Sequence, residues 1–330
     1  MCYLGNAERY EDLLLGVIQV DLRQRSPHLL LSKFNIKLVT LKFYILFLSL
    51  CCYTATFAQL PATQLYSFDV RIADDAITLT NARYLSAFNE NGYNNQPSFI
   101  NNNELLITSN YFDATQTDIL RLHLAKQTIT RVTATSEGEY SPTLMPDRRH
   151  FSVIKETVGG EINQLLWKYP LSQAHGGNVI IEDEYRVGYH CWLSGSEVAT
   201  FLVDDPTQLV IHDISDGTRA RIADQPGRSL LNIDDQLYYA DKSSADQWVI
   251  RSYDPNTNHL SPIATTLPQS EDMVFVEPGY LLMGSGSKLY RLDLQDPANW
   301  VEIADLEKYG IKKISRLAYR RNQLIVVNAK

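Results

Sequence analysis

What the chain lacks narrows it first. It has four cysteines in 330 residues, and three of them, Cys2, Cys51 and Cys52, fall before residue 59. Cys191 stands alone beyond that point, so no internal disulfide framework supports the remainder and its stability must come from a core. Basic residues are in the minority: 30 Lys and Arg stand against 38 Asp and Glu, a net charge of −8. That balance excludes a general nucleic-acid binder, which needs a basic stripe to neutralise phosphates. No apolar run reaches the ~20 residues that a membrane span requires; the strongest, Phe43 to Cys52, falls well short. Few segments show helical periodicity. There is no Cys pair or HxxxH spacing for zinc, and Gly284-Ser285-Gly286-Ser287 lacks the GxSxG pattern of a nucleophile elbow.

The N-terminus is read apart from the rest. Lys37 to Ala58 runs KLVTLKFYILFLSLCCYTATFA. Lys37 and Lys42 make a basic region, Phe43 to Cys52 an apolar core, and Thr56-Phe57-Ala58 a small-residue cleavage site. This is the pattern of a secretory signal peptide, cut after Ala58, with a membrane anchor as the alternative. Residues 1–36 then read as an extension upstream of the true start. Residues 59–330 form a single domain, expected to be periplasmic or secreted and not an integral membrane protein once the signal is removed. They retain 24 basic and 34 acidic residues, a net charge of −10.

What is present is strand-like sequence, 45% hydrophobic overall with 19 tyrosines, repeated at an interval. Glu137 to Ser152 reads EGEYSPTLMPDRRHFS. A strand from Ser141 to Met145 meets the turn Pro146-Asp147, and a second strand, His150 to Lys155, follows. Proline pre-sets the first turn position and aspartate bonds its own backbone, so this is a tight hairpin. The pattern returns in units beginning near Gly92, Tyr140, Tyr189, Arg228 and Glu271. The third strands of successive units, DILRLHL, QLLWKYP, QLVIHDI, WVIRSYD and KLYRLDL, align with one another. Units of about 40–48 residues with four strands each are the period of propeller blades. A sixth unit begins at Arg316 with two strands only, and Gln64–Arg71 with Ala76–Thr80 supply the other two. The expectation is an all-β, six-bladed β-propeller of four-stranded blades, the last blade closed by the N- and C-terminal strands, which protects otherwise open edges.

The blades that read NQPSF…LLITS…TDILRLHL…ITRVT and EYSPTLMPD…HFSVIKE resemble the TolB-like propeller family, whose repeats are WD-repeat-like. The resemblance spans about Tyr66 to Lys330 and is sharper in the first two blades than in the last three. The usual Pro-Asp-Gly turn is here Pro146-Asp147-Arg148, without its glycine. The resemblance implies a bacterial envelope protein that binds partners. Fold does not imply function, however, so the site is read from its residues.

In a propeller the innermost strand of each blade lines a central channel. The positions leading into those strands are Asn95-Gln96, Glu139-Tyr140, Tyr189-His190, Arg228-Ser229, Glu271-Asp272 and Ser315-Arg316. Their convergence would make a polar mouth, with Gln96, Glu139, Tyr140, His190, Arg228, Glu271, Asp272 and Arg316 as the ligand-binding set. Arg228 and Arg316 suit a carboxylate or phosphate through their forked donors. The leading reading is a binding module for a cell-envelope protein, a peptide or a small anionic ligand. A water-filled channel whose charges pair with one another explains the same residues. A cation-dependent hydrolase or lactonase, with Glu139, His190 and Glu271 as candidate catalytic groups, is the alternative, and a scaffold in an envelope complex is a third. Asn95, Glu139, Glu271 and Asp272 offer the oxygen ligands calcium takes, but the two arginines oppose a dication, so no cofactor or metal is assigned. His190 is expected to bond a neighbouring carboxylate, and Cys191 to alternate into the blade interior as an inert thiol.

Overall fold

The computed structural model describes residues 60–74, 76–157, 163–172 and 176–330; the signal peptide and upstream extension expected at 1–58 lie outside these. Apart from turns and loops, the regular structure of the described residues is all strand except for two short 3-10 turns, Ala87–Asn89 and Glu307–Tyr309. Two strands come first, β1 (Thr63–Ala73) and β2 (Ala76–Tyr84). Blade 1 is β3 (Asn94–Phe99), β4 (Glu104–Ser109), β5 (Asp118–His123) and β6 (Thr128–Arg131). Blade 2 is β7 (Gly138–Leu144), β8 (His150–Thr157), β9 (Asn163–Pro170) and β10 (Asn178–Val179), and blade 3 is β11 (Val187–Trp192), β12 (Glu197–Leu202), β13 (Gln208–Asp213) and β14 (Thr218–Asp224). Blade 4 is β15 (Pro226–Ile233), β16 (Gln236–Asp241), β17 (Val249–Asp254) and β18 (His259–Thr265), and blade 5 is β19 (Met273–Val276), β20 (Tyr280–Ser285), β21 (Lys288–Asp293) and β22 (Val301–Asp305). The chain ends in β23 (Ile314–Arg320) and β24 (Gln323–Ala329).

Each blade is an antiparallel four-stranded sheet, and the sixth has the order β2-β1-β24-β23. The N-terminal strands are thus the outer half of the last blade. β1 pairs with β24 from Thr63↔Ala329 to Asp69↔Gln323. The closing blade is therefore a full four-stranded sheet like the others. The six inner strands β3, β7, β11, β15, β19 and β23 touch in turn and return to β3, so the ring is complete.

The burial pattern explains why middle strands read as near-continuous apolar runs and outer strands do not. β4 buries five of its six residues and β20 likewise, because a neighbouring blade covers each face. β6 and β14 lie at the outer edge and are mostly exposed. The core is not one mass but six apolar clusters, one at each junction between adjacent blades. Phe68, Leu282, Leu289 and Leu324 join blades 5 and 6. Phe151, Val153, Leu106 and Ile119 join blades 2 and 1.

Candidate functional site

The inner strands do not run straight into the channel. Register shifts interrupt β3 between Asn95 and Ser98, β7 between Tyr140 and Thr143, β11 between Val187 and Tyr189, β15 between Pro226 and Leu230, and β23 between Ile314 and Arg316. A bulge of this kind re-aims the side chains beyond it. In blades 1 and 2 the shift holds a left-handed residue before proline: Gln96 at φ 54° and Ser141 at φ 53°. Non-glycine residues there cost about 1–3 kcal/mol each and gather at functional sites. The two positions are bonded, Ser141 N–H donating to Gln96 Oε1 at 2.9 Å.

These strands enclose a channel cavity of about 360 Å³, to which Gln96, Ser141, Tyr189, Arg228, Asp272 and Arg316 each contribute from a different blade. Arg316 lies over the Tyr189 ring at 4.8 Å. Blades 6 and 3 are diametrically opposed in a ring of six, so this pair bars the channel near its mouth. Arg316 also pairs with Asp272 at 3.4 Å, both largely buried, and Asp272 Oδ1 accepts the Leu317 N–H at 2.8 Å. Burial raises the Asp272 carboxyl above its ordinary range, against the pull of Arg316 and Arg228. Burial works against the charge of Arg316, yet Asp272, with Tyr189 and Tyr93, holds its proton above the ordinary value. Arg316 is thus locked in place.

Arg228 is arranged otherwise. Its Nε lies 3.1 Å from Glu271 Oε1, and it stays 39% exposed. Glu271 Oε2 takes Lys242 Nζ at 3.0 Å, and Lys242 rests 4.3 Å over the Trp248 ring. Glu271 is therefore shared between two cations. Arg228 keeps an outward face with unspent donors, beside a locked arginine and the buried Tyr93 ring.

The expected set is only partly gathered. Gln96, His190, Arg228, Asp272 and Arg316 border the cavity, whereas Glu139, Tyr140 and Glu271 do not. Glu139 is fully buried at the junction of blades 1 and 2, bonded to Thr133 and Thr135. His190 does not meet a carboxylate: its Nε2 lies 2.7 Å from Ser152 Oγ, which also accepts Trp192 Nε1–H at 2.9 Å. Its side chain is buried, and burial lowers its pKa to about 3. Cys191, expected in the blade interior, is instead partly exposed in the channel wall, and burial of its sulfur pushes the thiol up to about 12. The register shift at Gly188 inverts the alternation, turning Tyr189 and Cys191 to the channel and His190 inward. Tyr93 and Lys242 were missed, and Tyr189, read as an entry position, was left out of the binding set although it lines the cavity; a lone lysine before Ser-Ser-Ala-Asp in a loop gives no local signal of its place. Among the described residues no three His, Cys, Asp or Glu side chains gather as metal ligands.

No protein-family profile matches the chain, and no curated protein matches it by sequence. Solved structures do. The chain is similar to a structure of a nidogen/laminin complex, with TM-score 0.58 and 10% identity over 81% of this chain and 98% of that one. It is similar to putative TolB from Agrobacterium tumefaciens, with TM-score 0.57 and 13% identity over 82% and 99%. For TolB from Acinetobacter baumannii the values are 0.55 and 12% over 82% and 65%. At these identities the likeness is one of fold: this is a β-propeller of TolB-like architecture.

Proposed function

We propose that this propeller is an exported binding module that takes an anionic group, a carboxylate of a peptide or of a partner protein in the cell envelope, at the mouth of its central channel. The observation that carries this reading is the unequal treatment of the two arginines. Arg316 is consumed by Asp272 and Tyr189, while Lys242 relieves Arg228 of part of its claim on Glu271. A planar guanidinium with free donors beside a second fixed cation favours forked recognition of a carboxylate. The signal-peptide pattern at 37–58 supports export. Among the described residues no helix is long and apolar enough to cross a membrane. The propeller neighbours support a protein or peptide as the partner class.

The test is calorimetric titration with short peptides carrying a free C-terminal carboxylate and with the same peptides amidated. Binding of the free acids alone is expected, and Arg228→Ala should weaken it by about 10- to 100-fold, the value of a charge-assisted hydrogen bond. Equal binding of acid and amide, or an Arg228→Ala variant that binds unchanged, would overturn the assignment.

A further inference from the structure

We propose that an aromatic rim on blade 1, formed by Phe88, Tyr111 and Phe112, is a second contact of this binding module: it takes an apolar side chain from the same peptide segment whose carboxylate sits on Arg228. The inference rests on the anion-site reading and names the partner class more closely, an extended segment with an aliphatic or aromatic residue upstream of its C-terminus. Tyr111 and Phe112, in the loop between β4 and β5, are 44% and 48% exposed. Phe88 comes from the 3-10 turn that precedes β3. The three rings stand edge to face in a row, Phe88 against Tyr111 with centroids 5.1 Å apart and Tyr111 against Phe112 at 4.9 Å. Arg131 lies over the Phe112 ring at 5.0 Å. Aromatic rings and arginine are the side chains that carry most of the energy of protein interfaces. The apolar surface continues past Phe88 into a cavity of about 150 Å³ between blades 6 and 1, lined also by Leu85, Leu122, Leu124 and Ile129. That holds a side chain but falls short of the roughly 300 Å³ at which small-molecule pockets begin.

A polar frame holds the rings from beneath. Asn94 is fully buried; its Nδ2 donates to the Asn89 carbonyl at 2.8 Å, and its Oδ1 accepts the Ser109 hydroxyl at 2.9 Å. Asn89 Nδ2 donates to Asn110 Oδ1 at 3.0 Å, and Tyr111 N–H donates to Ser109 Oγ at 3.2 Å. A Cβ at Gly92 would run into the side chains of Asn89 and Asn110, so glycine is needed for the frame to close. The turn with Phe88 and the loop with Tyr111 are thereby fixed to each other before any partner arrives, which lowers the ordering cost of binding.

The rim is also continuous with the channel mouth. Asn110 Oδ1 accepts the Tyr93 N–H at 2.8 Å, and Asn110 N–H donates to the Tyr93 carbonyl at 3.2 Å. Tyr111 therefore begins one residue beyond a clamp on Tyr93, whose buried ring stands beside Arg316 and Arg228. Asn94 pairs with Ser109, so the loop that carries Tyr111 and Phe112 lies at the end where β3 enters the wall. Blade 1 stands opposite blade 4 in the ring, and a segment held at Arg228 crosses the mouth to reach the rim. That crossing fixes how many residues separate the carboxylate from the apolar side chain. Asp113 follows Phe112, and the hydroxyl and N–H of Thr115 hold its carboxyl below the ordinary range. A negative charge here works against an anionic lipid surface as the occupant.

The test is calorimetry with peptides of one length and a free C-terminal carboxylate, in which a single leucine moves stepwise through a Gly-Ser chain. Binding is expected to tighten about tenfold, the worth of burying one such side chain, at one position or two adjacent ones. Tyr111→Ala and Phe112→Ala, at exposed positions where thermal melts should show the fold kept, should each remove most of that gain and leave the leucine-free peptide bound as before. Arg228→Ala should weaken every peptide in the series by the same factor. A flat series, or a gain that survives in both ring variants, overturns the second contact while a retained Arg228 dependence leaves the anion site standing. A flat series with sedimentation on phosphatidylserine vesicles that Tyr111→Ala abolishes would give the rim to a membrane instead. If acid and amide bind alike and leucine position still matters, the link to Arg228 is overturned. A series in which nothing binds overturns both readings.

Discussion

Asp147 shows how much one side chain settles in a two-strand turn. Its Oδ1 accepts the N–H groups of Arg149 and His150 at 2.9 and 3.0 Å, and its Oδ2 lies 2.6 Å from His150 Nδ1. Burial works against its charge, but these partners hold its pKa down at about 2. The next residue, Arg148, sits at φ 56°, where glycine fits without strain. Asp147→Ala should lower stability by about 1–2 kcal/mol, an effect present above the ordinary aspartate pKa of about 3.9 and lost as pH falls through about 2. Arg148→Gly should raise stability by about 0.5–1 kcal/mol, the relieved strain exceeding the extra chain entropy. Urea titrations at neutral and low pH check both, and a stabilised Asp147→Ala would refute this account of the turn.

At the scale of the element, the strands were legible where a blade covers both faces. The third strand read as QLVIHDI is observed as Gln208–Asp213, because a buried apolar run between turn residues admits few other states. The inner strands were legible only in outline. Their register shifts add a residue that strict alternation does not count, so Gln96 and its equivalent Ser141 were set one position out of line, and of the entry pair Tyr189-His190 only His190 was kept in the binding set. The Glu139 bonds depend on Thr133 and Thr135, which sit between strands and carry no periodic signal. His190 now has a different consequence. A buried histidine with a pKa near 3 stabilises fully above the ordinary value of about 6.5 and loses that contribution as pH falls through about 3. Ser152→Ala, which strands both His190 Nε2 and Trp192 Nε1, should cost about 1–3 kcal/mol. His190→Ala should flatten the acid limb of the stability profile. Thermal melts between pH 3 and 7 decide the matter, and an unchanged acid limb would remove His190 from it.

At the scale of the molecule, six separate apolar clusters lie between blades, and each binds only its neighbours. Such a ring is indifferent to where the chain begins so long as every junction is made. Lys330 N–H donates to the Ala62 carbonyl at 3.1 Å, so the two ends of the ring already meet. A circular permutant that joins Lys330 to Ala62 by a short linker and opens at the exposed Pro268-Gln269 between blades 4 and 5 should unfold in a single transition within a few degrees of the parent. Calorimetry of the two forms makes the comparison, and two resolved transitions would show that the β1–β24 seam does more than close the ring.

That seam also fixes an order of events during synthesis. β1 and β2 leave the ribosome before the other described strands, yet Gln64 finds its partner Asn328 only 264 residues later. Until then β1 presents a bare edge to any strand nearby. The nascent ring stays unfinished until β24 emerges, and a chain that stops before β24 leaves β1 with nothing to pair against on that side. Synthesis of β24 thereby decides whether the sixth blade exists at all.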